Sequence, residues 1–344
     1  MRILKLLHIP LLALLGSGCA SLQAHPGFAE SEDAQAFARE ISARGGLDLA
    51  EVRMALSQAR HQQSIIDAMN RPAEAKPWYL YRPIFLTEQR IGQGVQFWRE
   101  HAGRLSSLEA RYGVPAEILV AIVGVETGYG RNTGKYAVLD ALATLAFDYP
   151  KRAPFFRKEL EEYFLLARDE RLPLDGPKGS YAGAMGMPQF MPSSYREYAV
   201  DGDGDGRRDL WGSVDDVLAS VANYFVRHGW RPGADVAWPV ELVDASRHED
   251  WMNRGRDLKA KTTVGGLRQS GLSLPDGDDA QPAMLIPLRE ERGDTYWVGL
   301  PNFYVITRYN HSAHYAMAVW QLAKALRERI GPSPLALPDR GAGA

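Results

Sequence analysis

The chain has 344 residues, 45% of them apolar and 24% charged, with a formal net charge of −2. That length supports two or three packed units, and the composition is globular rather than disordered or fibrous. The near-neutral balance gives no reason to expect nucleic acid as a partner, and no internal apolar run approaches the ~20 residues that span a bilayer.

The first residues read Met-Arg-Ile-Leu-Lys, then an almost wholly apolar run from Leu6 to Leu15, then Gly16-Ser17-Gly18-Cys19. A basic start, an apolar centre and small residues before a cleavage point are the parts of a secretory signal. Cys19 is the one cysteine of the chain. It cannot form an internal disulfide, and lipidation of a new N-terminus accounts for both its position and its solitude. The stretch resembles a bacterial lipobox, with Leu15 one residue further from the cysteine than usual. Residues 1–19 are therefore expected to be a lipoprotein signal and 20–30 a tether. Ala20 after the cysteine, rather than Asp, favours sorting to the periplasmic face of the outer membrane.

Downstream the pattern turns helical. Apolar residues recur at helical spacing from Ala34 to Met69 and from Gln89 to Tyr112, and Pro115 suits the first turn of a helix from Ala116 to Glu126. Further helices are expected at Leu139 to Phe147, Pro154 to Arg168, Val214 to His228 and Ser312 to Ile330. Between them, Ala283 to Leu288, Thr295 to Leu300 and Phe303 to Thr307 read as strands divided by Gly, Asp and Pro. The fold class is mainly α (α+β). A helical part covers about 31–115, a core about 116–235, a β-rich part about 236–308 and a returning helix 312–330. The Pro/Gly/Ala-rich tail, 331–344, reads as disordered.

Glu126 ends the run Glu117-Ile-Leu-Val-Ala-Ile-Val-Gly-Val-Glu126. Leu119, Ile122 and Val123 share its helical face, and no Lys or Arg of the helix joins them. A carboxyl packed among aliphatic groups has its neutral form favoured, as a general acid near neutral pH requires. The same position also suits an acid that reaches water or bonds a neighbouring helix, so the helix alone leaves both roles open.

Ser180-Tyr-Ala-Gly-Ala-Met-Gly-Met-Pro-Gln-Phe-Met-Pro-Ser-Ser-Tyr195 mixes neutral hydrogen-bonding groups with apolar surface. That mixture matches the polar rims and apolar faces of sugars, and it also suits a buried loop between helices. Gly183 and Gly186 read as places where a polymer approaches the backbone. Asp201-Gly-Asp203-Gly-Asp205-Gly206-Arg207 follows the D-x-D-x-D-G pattern of a calcium loop. In that pattern alternate acids and the carbonyl of Arg207 converge on one hard cation and Gly206 permits the sharp turn, the other reading being a solvated acidic turn. Gly212 stands where the usual twelfth-position Glu would be. Asp216 can close a longer loop, with Asp215 as its rival. A structural Ca²⁺ is the one expected cofactor, with none for catalysis.

Together, Gly-Val-Glu126-Thr-Gly-Tyr-Gly, the segment from Ser180, Val221-Ala-Asn-Tyr-Phe and Tyr304-Val-Ile-Thr-Arg-Tyr-Asn310 closely resemble the membrane-bound lytic murein transglycosylase B family, from about Trp78 to Leu322. The resemblance implies a lysozyme-like catalytic core with a helical accessory domain and a small β-rich insertion. It implies that Glu126 acts alone as acid and then base, with Tyr81, Ser180, Gln189, Tyr224, Tyr309, Asn310 and Tyr315 lining the catalytic subsite. Lys151-Arg152 falls where the family has a basic pair suited to stem-peptide carboxylates, although Lys lacks the bidentate fork of Arg. The implied partners are peptidoglycan glycan strands, the outer membrane through the lipid anchor, and other cell-wall enzymes. Two further readings are a lysozyme-type hydrolase on the same fold and a non-catalytic peptidoglycan scaffold.

Overall fold

The computed structural model describes residues 27–71, 76–254 and 258–331. The expected signal, Cys19 and nearly all of the expected tail lie outside the described residues.

After a short 3-10 turn, the stretch expected to be helical from Ala34 to Met69 forms three helices: α1 (Glu32–Gly45), α2 (Leu49–Gln58) and α3 (Gln63–Met69). Ser31 caps α1 by accepting from Ala34 N, and Asp48 caps α2 by accepting from Ala50 N. These caps satisfy amide groups that a helix start leaves open, and they set the breaks. Next comes α4 (Trp78–Phe85), which tolerates Pro83 inside its single pair of turns. The second expected stretch divides at His101 into α5 (Glu88–Glu100) and α6 (Ala102–Tyr112).

The centre of the molecule is α7 (Ala116–Thr127), in which every residue but Glu117 and Glu126 is buried. A helix apolar on all sides is a core helix. Each large aliphatic side chain in it contributes roughly 1.5–3 kcal/mol by leaving water. After β1 (Tyr136–Ala137) come α8 (Val138–Phe147) and α9 (Ala153–Glu170). Then follow β2 (Lys178–Gly179), which pairs antiparallel with β1, α10 (Pro192–Tyr198) and α11 (Val214–Arg227). Helices α5, α6 and α11 pack around α7.

The remaining strands are β3 (Ala237–Val240), β4 (Thr262–Thr263), β5 (Pro282–Arg289) and β6 (Asp294–Gly299), with α12 (Val264–Gln269) between β4 and β5. They form an antiparallel sheet in the order β3-β6-β5-β4. Its own core includes Val264, Leu267, Leu285 and Val298. The strand expected at Phe303 to Thr307 is instead part of a helix, α13 (Pro301–Tyr309). Its β-branched content suggested a strand, but Pro301 at the first helical position and the burial of Asn302, Phe303, Val305, Ile306 and Thr307 give a helical face. The last helix among the described residues is α14 (Ala313–Ile330), which packs along α7. Among the described residues, no helix is long and apolar enough to cross a membrane.

Candidate active site

Glu126 sits in the last turn of α7, half-buried, one residue before the helix ends. Gly128 in the left-handed conformation (φ +58°) stops the helix and donates its N–H to Gly124 O. Tyr129 (φ +63°) and Gly130 (φ +79°) continue the left-handed run, so the chain leaves sharply and the Glu126 side chain stands at a rim.

From α14, the Tyr315 hydroxyl donates to Oε1 of Glu126 at 2.5 Å. Tyr309 lies parallel to Tyr315, with ring centroids 6.4 Å apart. Burial, and then the charge of Glu126, push both phenols well above the ordinary tyrosine range. Both therefore remain neutral donors at any physiological pH. The Tyr309 hydroxyl donates to Pro188 O at 2.6 Å and that of Tyr224 to Arg308 O at 2.7 Å, while Phe190 packs against both rings. Tyr81 is buried on α4, its ring 5.5 Å from that of His314 at the start of α14. Asn310 is half-buried at the junction of α13 and α14.

The segment from Ser180 folds back on itself. Ser180 Oγ accepts from Ala182 N and Ala184 N at 3.2 and 3.1 Å, and Met185 and Phe190 exchange backbone hydrogen bonds. Gln189 has φ +53° and donates Nε2 to Thr133 O and Gly186 O. Gly183 and Gly186 serve this fold rather than an open approach to the backbone. A Cβ on Gly183 would lie 2.5 Å from Leu142, and one on Gly186 would lie 2.4 Å from Leu210 O.

Beside Glu126 a cavity of about 420 Å³ is lined by Phe85, Thr87, Gln89, Arg90, Gln93, Val125, Thr127, Gly128, Arg131 and Asn132. Among these described residues Glu126 alone carries a carboxylate. Arg90 reaches from α5 to donate to Gly124 O, where a cation also complements the negative end of α7. The sequence of α7 offers no cation near Glu126; the fold brings Arg90 and Arg131 to the same cavity.

The aspartate loop forms a separate cluster. Single carboxylate oxygens of Asp201, Asp203 and Asp205 lie within 4.8 Å of one another, and all three residues are exposed. Backbone amides lower the Asp201 carboxyl below the usual range, chiefly the amide of Gly206. Asp216 is buried, and its two oxygens accept from Gly202 N at 2.7 Å and Asp209 N at 2.6 Å. Asp215 pairs instead with Arg104. Asp216 is thus the acid that holds the loop together, with its carboxylate engaged by backbone rather than gathered with the other three.

The transglycosylase SLT domain profile matches residues 29–324, most of the chain. The chain belongs to this transglycosylase family. It is 46% identical over 314 residues to membrane-bound lytic murein transglycosylase B of Escherichia coli (strain K12), covering 87% of this chain and 84% of that protein. The soluble lytic transglycosylase SltB1 from Pseudomonas aeruginosa superposes with a TM-score of 0.81 at 49% identity, over 87% of this chain and 99% of its own. The Escherichia coli lytic transglycosylase Slt35, solved in complex with calcium, superposes with a TM-score of 0.78 at 44% identity, over 88% of this chain and 95% of its own. The core is the lysozyme-like fold of these transglycosylases.

Within this transglycosylase the fold gathers Glu126, Tyr309 and Tyr315 directly, and Tyr309 ties in the segment that carries Gln189. Lys151 and Arg152 are exposed just ahead of α9, where Arg152 lies 4.4 Å from the ring centre of Phe155. That stacking fixes the guanidinium while leaving its edge to solvent. Sequence reading overlooked Arg90, Thr127 and Tyr129. The signal for the last two was present: a polar residue and an aromatic one flank the helix-ending glycine directly after the acid.

Proposed function

We propose that this chain is a peptidoglycan lytic transglycosylase in which Glu126 works as both acid and base. It cleaves the β-1,4 bond between N-acetylmuramic acid and N-acetylglucosamine and leaves 1,6-anhydro-N-acetylmuramic acid ends. The observation that supports the single-carboxylate reading is that, among the described residues lining the cavity beside it, Glu126 is the one acid. Retaining and inverting glycosidases of the usual kind each require a pair of carboxylates flanking the bond.

Protonated Glu126 gives its proton to the leaving glycosidic oxygen as the bond to muramyl C1 breaks. The muramyl cation is captured with help from its own 2-acetamido group. Glu126, now a carboxylate, takes the proton of the C6 hydroxyl, whose oxygen bonds to C1 and closes the anhydro ring. Tyr315 holds the carboxylate through its hydroxyl, a donor that stabilises the ionised state between the two proton transfers. Tyr81, Ser180, Gln189, Tyr224, Tyr309 and Asn310 shape the subsite, and Lys151-Arg152 offers charge to stem-peptide carboxylates.

Asp201, Asp203, Asp205 and the Arg207 carbonyl would hold Ca²⁺, with Asp216 closing the loop. An all-oxygen donor set suits that hard cation, and the calcium complex of Slt35 supports the reading. Its role is structural. Cys19 would carry the lipid that holds the enzyme at the periplasmic face of the outer membrane, alongside other cell-wall enzymes.

Mass spectrometry of digested sacculi tests the reaction. Anhydromuropeptides are the expected products. Reducing muropeptides would make the chain a hydrolase, and intact glycan would leave it a binding scaffold.

A further inference from the structure

Thr127, the residue after the catalytic glutamate, is 1% exposed and borders the cavity beside Glu126. Its hydroxyl makes three polar contacts at the end of α7. Its oxygen accepts from Gly130 N at 3.0 Å, within the left-handed turn. Its proton has two acceptors within reach, Met187 O at 3.0 Å and Val123 O at 3.3 Å. The nearer one belongs to the segment that carries Ser180 and Gln189. Met187 continues the connection, because its own N–H donates to Leu210 O at 2.8 Å, beyond the aspartate loop. Its sulfur also lies against Gly130, 3.1 Å from where a Cβ would stand.

We propose that Thr127 is a positioning residue, whose hydroxyl fixes the Glu126 carboxylate in register with the Ser180–Gln189 wall. This rests on the reading of Glu126 given above. Two elements far apart in sequence must meet at a common point for the acid to face the glycosidic oxygen. Among the described residues, the Thr127–Met187 bond is a direct hydrogen bond from the α7 terminus to that segment. The backbone of Thr127 is also tied, since its carbonyl accepts from Asn132 N at 2.9 Å. A valine at this position would keep the shape of the side chain but offer Gly130 N and Met187 O no partner. The helix end and the wall would then be free to drift apart, and reacting groups tolerate little such drift.

The test compares Thr127→Val with Thr127→Ser on defined glycan oligomers, with Glu126→Gln as control. Thr127→Val is expected to lower kcat by about 10- to 100-fold with KM changed less than about twofold. Thr127→Ser, which keeps the hydroxyl, is expected to stay within about threefold of the parent. A merely structural threonine would lower the melting temperature and the active fraction without this split or this rescue. If Thr127→Val does not fold at the assay temperature, Thr127→Ala replaces it in the same comparison. Parental kcat in the hydroxyl-free variant overturns the proposal, as does equal loss in valine and serine variants. If Glu126→Gln itself turns over, it is the assignment of Glu126 that fails, independently of Thr127.

Discussion

The Tyr315 hydroxyl and the Glu126 carboxylate meet at 2.5 Å although 189 residues separate them. The contact joins the N-terminal turn of α14 to the C-terminal turn of α7 and makes the acid a product of the tertiary fold. Tyr315→Phe should keep the ring packing against Tyr309 and lose only the donor. The expected result is a folded protein with kcat lowered roughly ten- to hundred-fold. Because a donor to a carboxylate favours its ionised form, its loss holds Glu126 protonated to higher pH. The basic limb of the pH–rate profile should therefore move upward, and an unmoved limb with parental kcat would remove Tyr315 from the site.

The Tyr129 ring inserts between α5 and α7, where only glycines leave room. A Cβ on Gly94 would stand 2.2 Å from its hydroxyl oxygen and one on Gly124 would stand 2.6 Å away. Among the described residues that hydroxyl has no hydrogen-bond partner, although it is buried. Tyr129→Phe is accordingly expected to stabilise the fold by about 1 kcal/mol, and Gly94→Ala to destabilise it by about 1–3 kcal/mol. Urea denaturation measures both. Destabilisation of the phenylalanine variant would mean that the hydroxyl has a partner.

Calcium at the aspartate loop should raise the melting temperature. A ligand at 100 times its Kd stabilises a native state by about 2.7 kcal/mol. Asp203→Asn should abolish that rise while leaving the melting temperature in chelator nearly unchanged, since Asp203 is exposed. Asp216→Asn differs: it disturbs the bonds to Gly202 and Asp209 and should destabilise the protein with or without calcium. A melting temperature indifferent to both calcium and chelator would remove the metal from the account.

The parts of this molecule readable from sequence are those that short-range periodicity encodes. The all-apolar run of α7, the strands β5 and β6 and the spacing of Asp201, Asp203 and Asp205 are local patterns, and each forms where expected. Helix α13 was misread because Val305, Ile306 and Thr307 favour strands in isolation, while packing of their helical face decides otherwise. Helix α4 was hidden by Pro83, and α10 by the proline at its start. At the site, the helix pattern marks Glu126 as a candidate acid but leaves its role open, and the family resemblance is what points to catalysis. The setting of Glu126 was not legible, because Tyr315, Arg90 and Met187 approach from other elements and no spacing along the chain encodes their meeting.

The most direct test replaces Glu126 by glutamine and follows purified sacculi by mass spectrometry and by sedimentation binding. Without a proton to donate or a carboxylate to receive one, the variant should release no anhydromuropeptides above background while binding sacculi as the parent does. Continued release of anhydromuropeptides by Glu126→Gln would contradict the account.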